Sequence, residues 1–221
     1  MKLIEYADSE MLTINLANIV AGELTTALSH GHWASLAVPG GQTPGPFFDD
    51  LCGVTLDWDR VRILPTDERL VPPGDPRSNE GLVRRRLLTG HAEKACFIGL
   101  RPGADGMMGV NDRVARYLPL SVLVLGMGED GHVASLFPGA DDLEFALAPE
   151  APPVVETRPP RPGPARVSLS GPVLRGALST HVLILGQNKR EALVRADLLS
   201  DPLQAPVLAV LKDATVHWAR A

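Results

Sequence analysis

The sequence predicts an α/β protein, a Rossmann-like three-layer sandwich with a mostly parallel central sheet and helices on both faces. Three observations carry this. Short apolar runs recur along the 221 residues, helical patterns separate several of them, and the runs at 121–125 and 181–185 are nearly all Leu, Val or Ile. Runs of that last kind suit strands buried on both faces, as a sheet covered by helices requires.

The elements follow in order. Over 9–29, Leu12, Leu16, Val20, Leu24 and Leu28 recur at four-residue steps, with Ile19 and Ala27 widening the stripe. That spacing predicts an amphipathic helix, capped by Asp8 or Ser9. A strand at 35–38 leads into a helix over 43–52, where Thr43 suits the N-cap and Pro44 the first helical position. Further strands are predicted at 61–64, 95–98, 121–125, 166–169, 181–185 and 206–210, with helices over 78–89, 109–118 and 187–199. Residues 149–164, PEAPPVVETRPPRPGP, hold seven prolines and read as an exposed connection or as a flap over the site. With no internal repeat and no second hydrophobic core in the pattern, residues 1–221 are expected to form a single domain.

Composition narrows the function. A formal charge of −5 argues against a broad nucleic-acid surface, and the one basic run, Arg84-Arg85-Arg86, lies between apolar pairs as on a solvated helix face. No apolar run approaches the roughly 20 residues of a membrane span. The opening MKLIEYADSE turns acidic too early for a secretory signal. Cys52 and Cys96 are far apart and in no C-x-x-C pair, so neither a disulfide framework nor a cysteine metal site is indicated. A reducing, cytoplasmic setting is expected.

Ligands of such sheets bind beyond the carboxyl ends of the strands, and four strand-end segments are unusual. Gly40-Gly41-Gln42-Thr43-Pro44 puts bare backbone before a helix start, which suits an anion or simply a tight turn. Asp67-Glu68-Arg69 follows the strand at 61–64, with Ser78-Asn79 opening the next helix; a surface ion pair is the alternative. Gly126-Met127-Gly128-Glu129-Asp130-Gly131-His132 has dinucleotide-fingerprint spacing, but its carboxylates would repel a pyrophosphate and it comes fourth among the strands. The segment reads better as a loop presenting Asp130 and His132, the latter a general base or acid, or else a structural histidine. Finally, Lys189 and Arg190 occupy a helix's first turn, where the macrodipole disfavours cations unless an anion binds or Glu191 compensates.

Together, in order and across nearly the whole chain, these segments resemble the glucosamine-6-phosphate isomerase/6-phosphogluconolactonase family, and its lactonases in particular. The stretch Gly126–Pro138, GMGEDGHVASLFP, is the most specific match; Asp67-Glu68-Arg69-Leu70-Val71-Pro72, Arg166–Leu169 and the Lys189 region are similar to further family segments. Pro39 and Gln42 depart from the commoner pattern, in which Ser is frequent at those positions. The resemblance implies hydrolysis of 6-phospho-D-glucono-1,5-lactone without metal or cofactor. It implies His132 as proton carrier with Asp130 beside it, and Gly40, Gly41, Gln42, Thr43, Arg69 and Lys189 around the phosphate. Asp67, Glu68, Asn79 and Gly131 are implied as further pocket residues. The expected partner is a small sugar-phosphate lactone, with no nucleic acid or membrane, for a monomer or weak homo-oligomer. Two alternatives remain: a glucosamine-6-phosphate deaminase/isomerase, whose Asp-Gly-His stretch usually continues into Asn-Glu-Pro where this chain has Ser135-Leu136-Phe137-Pro138, and a non-catalytic sugar-phosphate sensor.

Overall fold

A computed structural model describes residues 1–72 and 74–220. Its centre is a parallel sheet of β1 (Lys2–Tyr6), β2 (Ala34–Val38), β3 (Val61–Pro65), β5 (Cys96–Phe97), β6 (Val122–Gly126), β9 (Thr180–Leu185) and β10 (Thr215–Ala219). The strands run in the order β1-β10-β9-β6-β2-β3-β5, with every neighbouring pair parallel. Strands β2, β6 and β9 bury nearly every residue, in keeping with their apolar sequences.

Helices cover both faces. On one, α1 (Ser9–His30), α2 (Gly45–Cys52) and α3 (Asn79–Arg86) bury Leu12, Leu16, Phe47, Phe48 and Val83 against Leu36, Ile63 and Val124. On the other, α4 (Gly106–Ala115), α5 (Leu143–Leu147), α6 (Gly171–Arg175), α7 (Gln187–Leu199) and α8 (Leu208–Leu211) pack Val110, Leu143, Leu174, Leu193 and Val210 against Leu123, Leu125 and Val182. Asp8 caps α1 by accepting from the Met11 N–H at 2.7 Å. With 22 residues and a mean hydropathy of 1.3 over an 18-residue window, α1 does meet the length and composition of a membrane span, contrary to the sequence expectation. Its leucine stripe at Leu12, Leu16 and Leu24 is wholly buried against the sheet.

The structure corrects several boundaries. Residues 206–210 are not a strand: they lead into α8, and the Val207 N–H bonds the Gly131 carbonyl. A short apolar run does not by itself distinguish helix from strand. The sheet takes 215–219 instead, and adds at its edge β1, whose exposed, mixed residues gave no apolar run. Thr43 does not cap α2. A turn closed by the Gly45 N–H on the Gln42 carbonyl intervenes, and the helix begins after Pro44 without a side-chain cap.

The proline-rich stretch is not wholly irregular. It contains β7 (Val154–Thr157), which pairs antiparallel with β8 (Arg166–Leu169), and β8 pairs with β4 (Asp67–Arg69) in a second, three-stranded sheet. Residues 166–169 are therefore a strand, but outside the central sheet. Thr66 joins the two sheets: its N–H reaches the Val38 carbonyl and its carbonyl accepts from the Leu169 N–H.

Candidate active site

Strand β2 neighbours β3 on one side and β6 on the other, and β6 continues to β9. Chain order reverses there, leaving a crevice at the carboxyl ends of the central strands, where open α/β sheets take ligands. A cleft of ≈ 210 Å³ occupies it, floored by the ends of β2, β6 and β9 and walled by β4, β8 and the α7 start.

One end of the cleft is cationic. Gly40, Gly41 and Thr43 line it, and among the described residues the N–H groups of 40–43 donate to no backbone carbonyl. The α2 and α7 N-termini open nearby, both without a side-chain cap bond. Unpaired N–H groups and positive helix ends make an anion site. Arg69 and Lys189 also line it, and no salt bridge among the described residues involves either. Asn79 Oδ1 accepts from Arg69 Nη1 at 2.9 Å and fixes its direction. The Gln42 side chain lies in an adjoining depression with Arg77, Arg85 and Arg86.

The same lining carries the imidazole. The Gly131 N–H closes a tight turn on the Gly128 carbonyl, and the Gly128 N–H bonds the His132 carbonyl. A side chain at Gly128 would fall on both His132 and Asp130, so only glycine lets them meet there. Gly131, at φ 81°, lies behind the cleft; its carbonyl takes the Val207 N–H and a Cβ would press on Ala205. Asp130 Oδ1 is 2.6 Å from His132 Nδ1. That hydrogen bond holds the Asp130 carboxyl down to about 2, outweighing partial burial. The group is therefore ionised at neutral pH and accepts, which puts the imidazole proton on Nδ1 and the free lone pair on Nε2.

A buried polar frame supports both. Asp67 lines the cleft and takes the Ser135 hydroxyl at 2.5 Å and Asn79 Nδ2 at 3.1 Å. Glu68 points away into the protein, fully buried. Its Oε1 accepts the Arg69 and Asn79 N–H groups at 2.7 and 2.9 Å, and its Oε2 the Ser78 hydroxyl and Glu80 N–H at 3.0 and 2.7 Å. It is a second cap for α3 beside Ser78, which accepts from the Gly81 N–H.

The structure thus gathers Gly40, Gly41, Thr43, Asp67, Arg69, Asn79, His132 and Lys189 around one cleft, and leaves Glu68, Asp130, Gly131 and the Gln42 side chain outside its lining. Sequence reasoning missed Thr66, Ala134 and Arg166, which also line it. Arg166 was visible as the start of a strand and of a family-like segment, with no site role; nothing local shows that it pairs with Arg69 across an antiparallel ladder. Among the described residues no group of three or more His, Cys, Asp or Glu could hold a metal ion.

Known proteins resemble this chain over nearly its whole length. A family model described as glucosamine-6-phosphate isomerases/6-phosphogluconolactonase matches residues 7–218. The 6-phosphogluconolactonase of Pseudomonas aeruginosa is 40% identical over 215 residues, covering 92% of this chain and 88% of its own. That of Rhizobium meliloti is 38% identical and covers 92% of both. Among solved structures, a 6-phosphogluconolactonase from Shewanella baltica superposes with a TM-score of 0.93 at 31% identity, over 100% of this chain and 98% of that one.

Proposed function

The chain belongs to the glucosamine-6-phosphate isomerase/6-phosphogluconolactonase family, and from that premise we propose how its cleft works. The protein is a 6-phosphogluconolactonase: it hydrolyses 6-phospho-D-glucono-1,5-lactone to 6-phospho-D-gluconate in the oxidative pentose phosphate pathway. The observation that carries the mechanism is the Asp130-locked imidazole sharing one cleft with two cations that, among the described residues, form no salt bridge, and with free N–H groups.

The phosphate would lie on the backbone N–H groups of 40–43 with Arg69 and Lys189, an anchor that places C1 near His132. Nε2 of His132 takes a proton from the attacking water and returns it to the departing ring oxygen. Positioned proton transfer of this kind supplies roughly 10²–10⁴-fold. Asp130 does not touch the substrate in this scheme; it fixes the tautomer and steadies the imidazolium. No step calls for a metal or cofactor. The enzyme would act in the cytoplasm as one domain, monomeric or weakly self-associated, with neither nucleic acid nor membrane as partner.

Lactone opening coupled to glucose-6-phosphate dehydrogenase, measured beside ammonia release from glucosamine 6-phosphate, tests the reading. Hydrolysis without ammonia is expected, and His132→Ala should lower kcat by about 10²-fold or more while inorganic phosphate still binds. A mutant turning over at the wild-type rate would remove His132 from the mechanism.

A further inference from the structure

Arg166 is the one cationic side chain of the cleft that the phosphate does not need, and its surroundings are peculiar. It stands directly opposite Arg69 in the β4–β8 ladder, where like charges repel. Its side chain is only 18% exposed, yet the acceptors near Nη1 are distant: Ser135 Oγ at 3.5 Å and Asp67 Oδ2 at 3.6 Å. Nε is buried and, among the described residues, has no partner. Burial lowers the guanidinium's proton affinity, Asp67 opposes that, and Arg69 adds to it. Nε is thus a desolvated donor lacking an acceptor, and Nη1 is held only by the long contacts to Ser135 and Asp67.

Its position names the missing acceptor. The guanidinium carbon lies 5.3 Å from the Phe137 ring centroid, and the same ring packs 4.7 Å from the His132 imidazole. Base and guanidinium thus flank one aromatic ring, at the reacting end of the cleft. The adjacent Asp67 carboxylate would repel a phosphate dianion, but it tolerates a single charge that appears only during reaction.

We propose that Arg166 is the oxyanion donor, a catalytic residue whose N–H groups meet the C1 carbonyl oxygen of the lactone and then hold the C1 carboxylate of the product. This rests on the lactonase reading above. As the water oxygen bonds to C1, the carbonyl π pair moves onto oxygen beside Arg166 and the water's proton passes to His132 Nε2. Collapse re-forms the carbonyl, breaks the bond from C1 to the ring oxygen, and that oxygen takes the proton from Nε2. The acid formed then loses its own proton to solvent.

Arg166→Met and Arg166→Lys would be compared with Arg69→Met, measuring kcat by coupled assay and binding of inorganic phosphate and of 6-phosphogluconate by calorimetry. Phosphate binding reports an intact fold independently of turnover, and the lysine variant keeps a charge beside Asp67 if the methionine variant fails to fold. Arg166→Met should lose about 10²–10³-fold in kcat, the usual effect of one oxyanion donor. It should keep phosphate affinity and bind 6-phosphogluconate about tenfold more weakly. Arg69→Met should lose phosphate affinity. Full kcat in both Arg166 variants, or loss of phosphate binding in Arg166→Lys to the extent seen in Arg69→Met, would overturn the assignment. A wild type that bound phosphate but opened no lactone would overturn the lactonase reading, and this inference with it.

Discussion

Replacing Glu68 should unfold the phosphate end of the cleft from behind. Its carboxylate is fully buried and collects four donors, three of them backbone N–H groups of Arg69, Asn79 and Glu80. Two of those open α3, so the charge also faces the positive end of that helix. In Glu68→Ala the Ser78 hydroxyl can turn elsewhere, but the three N–H groups cannot. A buried donor left unsatisfied costs about 1–3 kcal/mol. Water entering the vacated volume recovers part, which leaves about 3–5 kcal/mol. Glu68→Gln keeps one carbonyl where Arg69 and Asn79 converge, and the hydroxyl can accept from the amide. Only the Glu80 N–H is orphaned, at about 1–3 kcal/mol. For a chain of this length about 2–4 °C accompanies each kcal/mol, so the melting midpoint should fall by about 6–20 °C in the alanine variant and about 2–12 °C in the glutamine variant. Urea and thermal unfolding would measure both, with KM for the lactone rising alongside because Arg69 and Asn79 hang on the same carboxylate. An alanine variant no less stable than the glutamine variant would refute the reasoning.

Other consequences are testable in the same preparations. Gly128→Ala would drive a methyl group into His132 and Asp130; kcat should fall by about 10²-fold or more with phosphate binding retained, as calorimetry beside the coupled assay would show. Lys189→Ala should raise KM by about tenfold, the value of one charge-assisted contact, with little change in kcat. Acid stability should follow a buried chain in which Tyr6 Oη, His217, His181 and Glu23 are linked at 2.8, 3.0 and 2.9 Å. Burial pushes His217 down from 6.5 to about 4 in the folded protein. The unfolded chain therefore binds this proton first, and the stability tied to a neutral His217 is present above about pH 6.5 and is lost as pH falls toward about 4. In His217→Leu the urea midpoint should vary less across that window; an unchanged slope would exonerate the histidine.

Much of this was legible in the chain, for identifiable reasons. Strands such as Val122–Gly126 and Thr180–Leu185 are buried on both faces, so their sequences are unbroken apolar runs. Lys189 was flagged because a cation in a helix's first turn is a local conflict, and it now lines the cleft. Asp130 and His132 are two residues apart, close enough for proximity in sequence to become contact. What sequence hid was set by pairing. Glu68 looked like a pocket acid until its four donors, ten to twelve residues away for three of them, turned it inward. Val154–Thr157 carried no signal among the prolines because its partner, β8, supplies the order. The 206–210 segment failed as a strand because its apolar residues serve a helix packed under the catalytic loop.

The small antiparallel sheet also works as a gauge. Pairing runs residue for residue from Val154 opposite Leu169 to Thr157 opposite Arg166, and from there to Arg69. Arg69 and Arg166 share one rung, so the backbone separation of the two arginines is set by the β4–β8 pairing and does not depend on the chain that joins β7 to β8. Residues 159–164 form a mostly exposed tip beyond the pairing, where insertions or deletions only lengthen or trim a protrusion. A deletion of one residue inside 166–169 is another matter, since a slip by one turns every side chain of the strand to the opposite face. Relatives can therefore diverge in tip length and sequence while the distance across the cleft stays constant, and that tip is the natural place to graft a tag or a reporter.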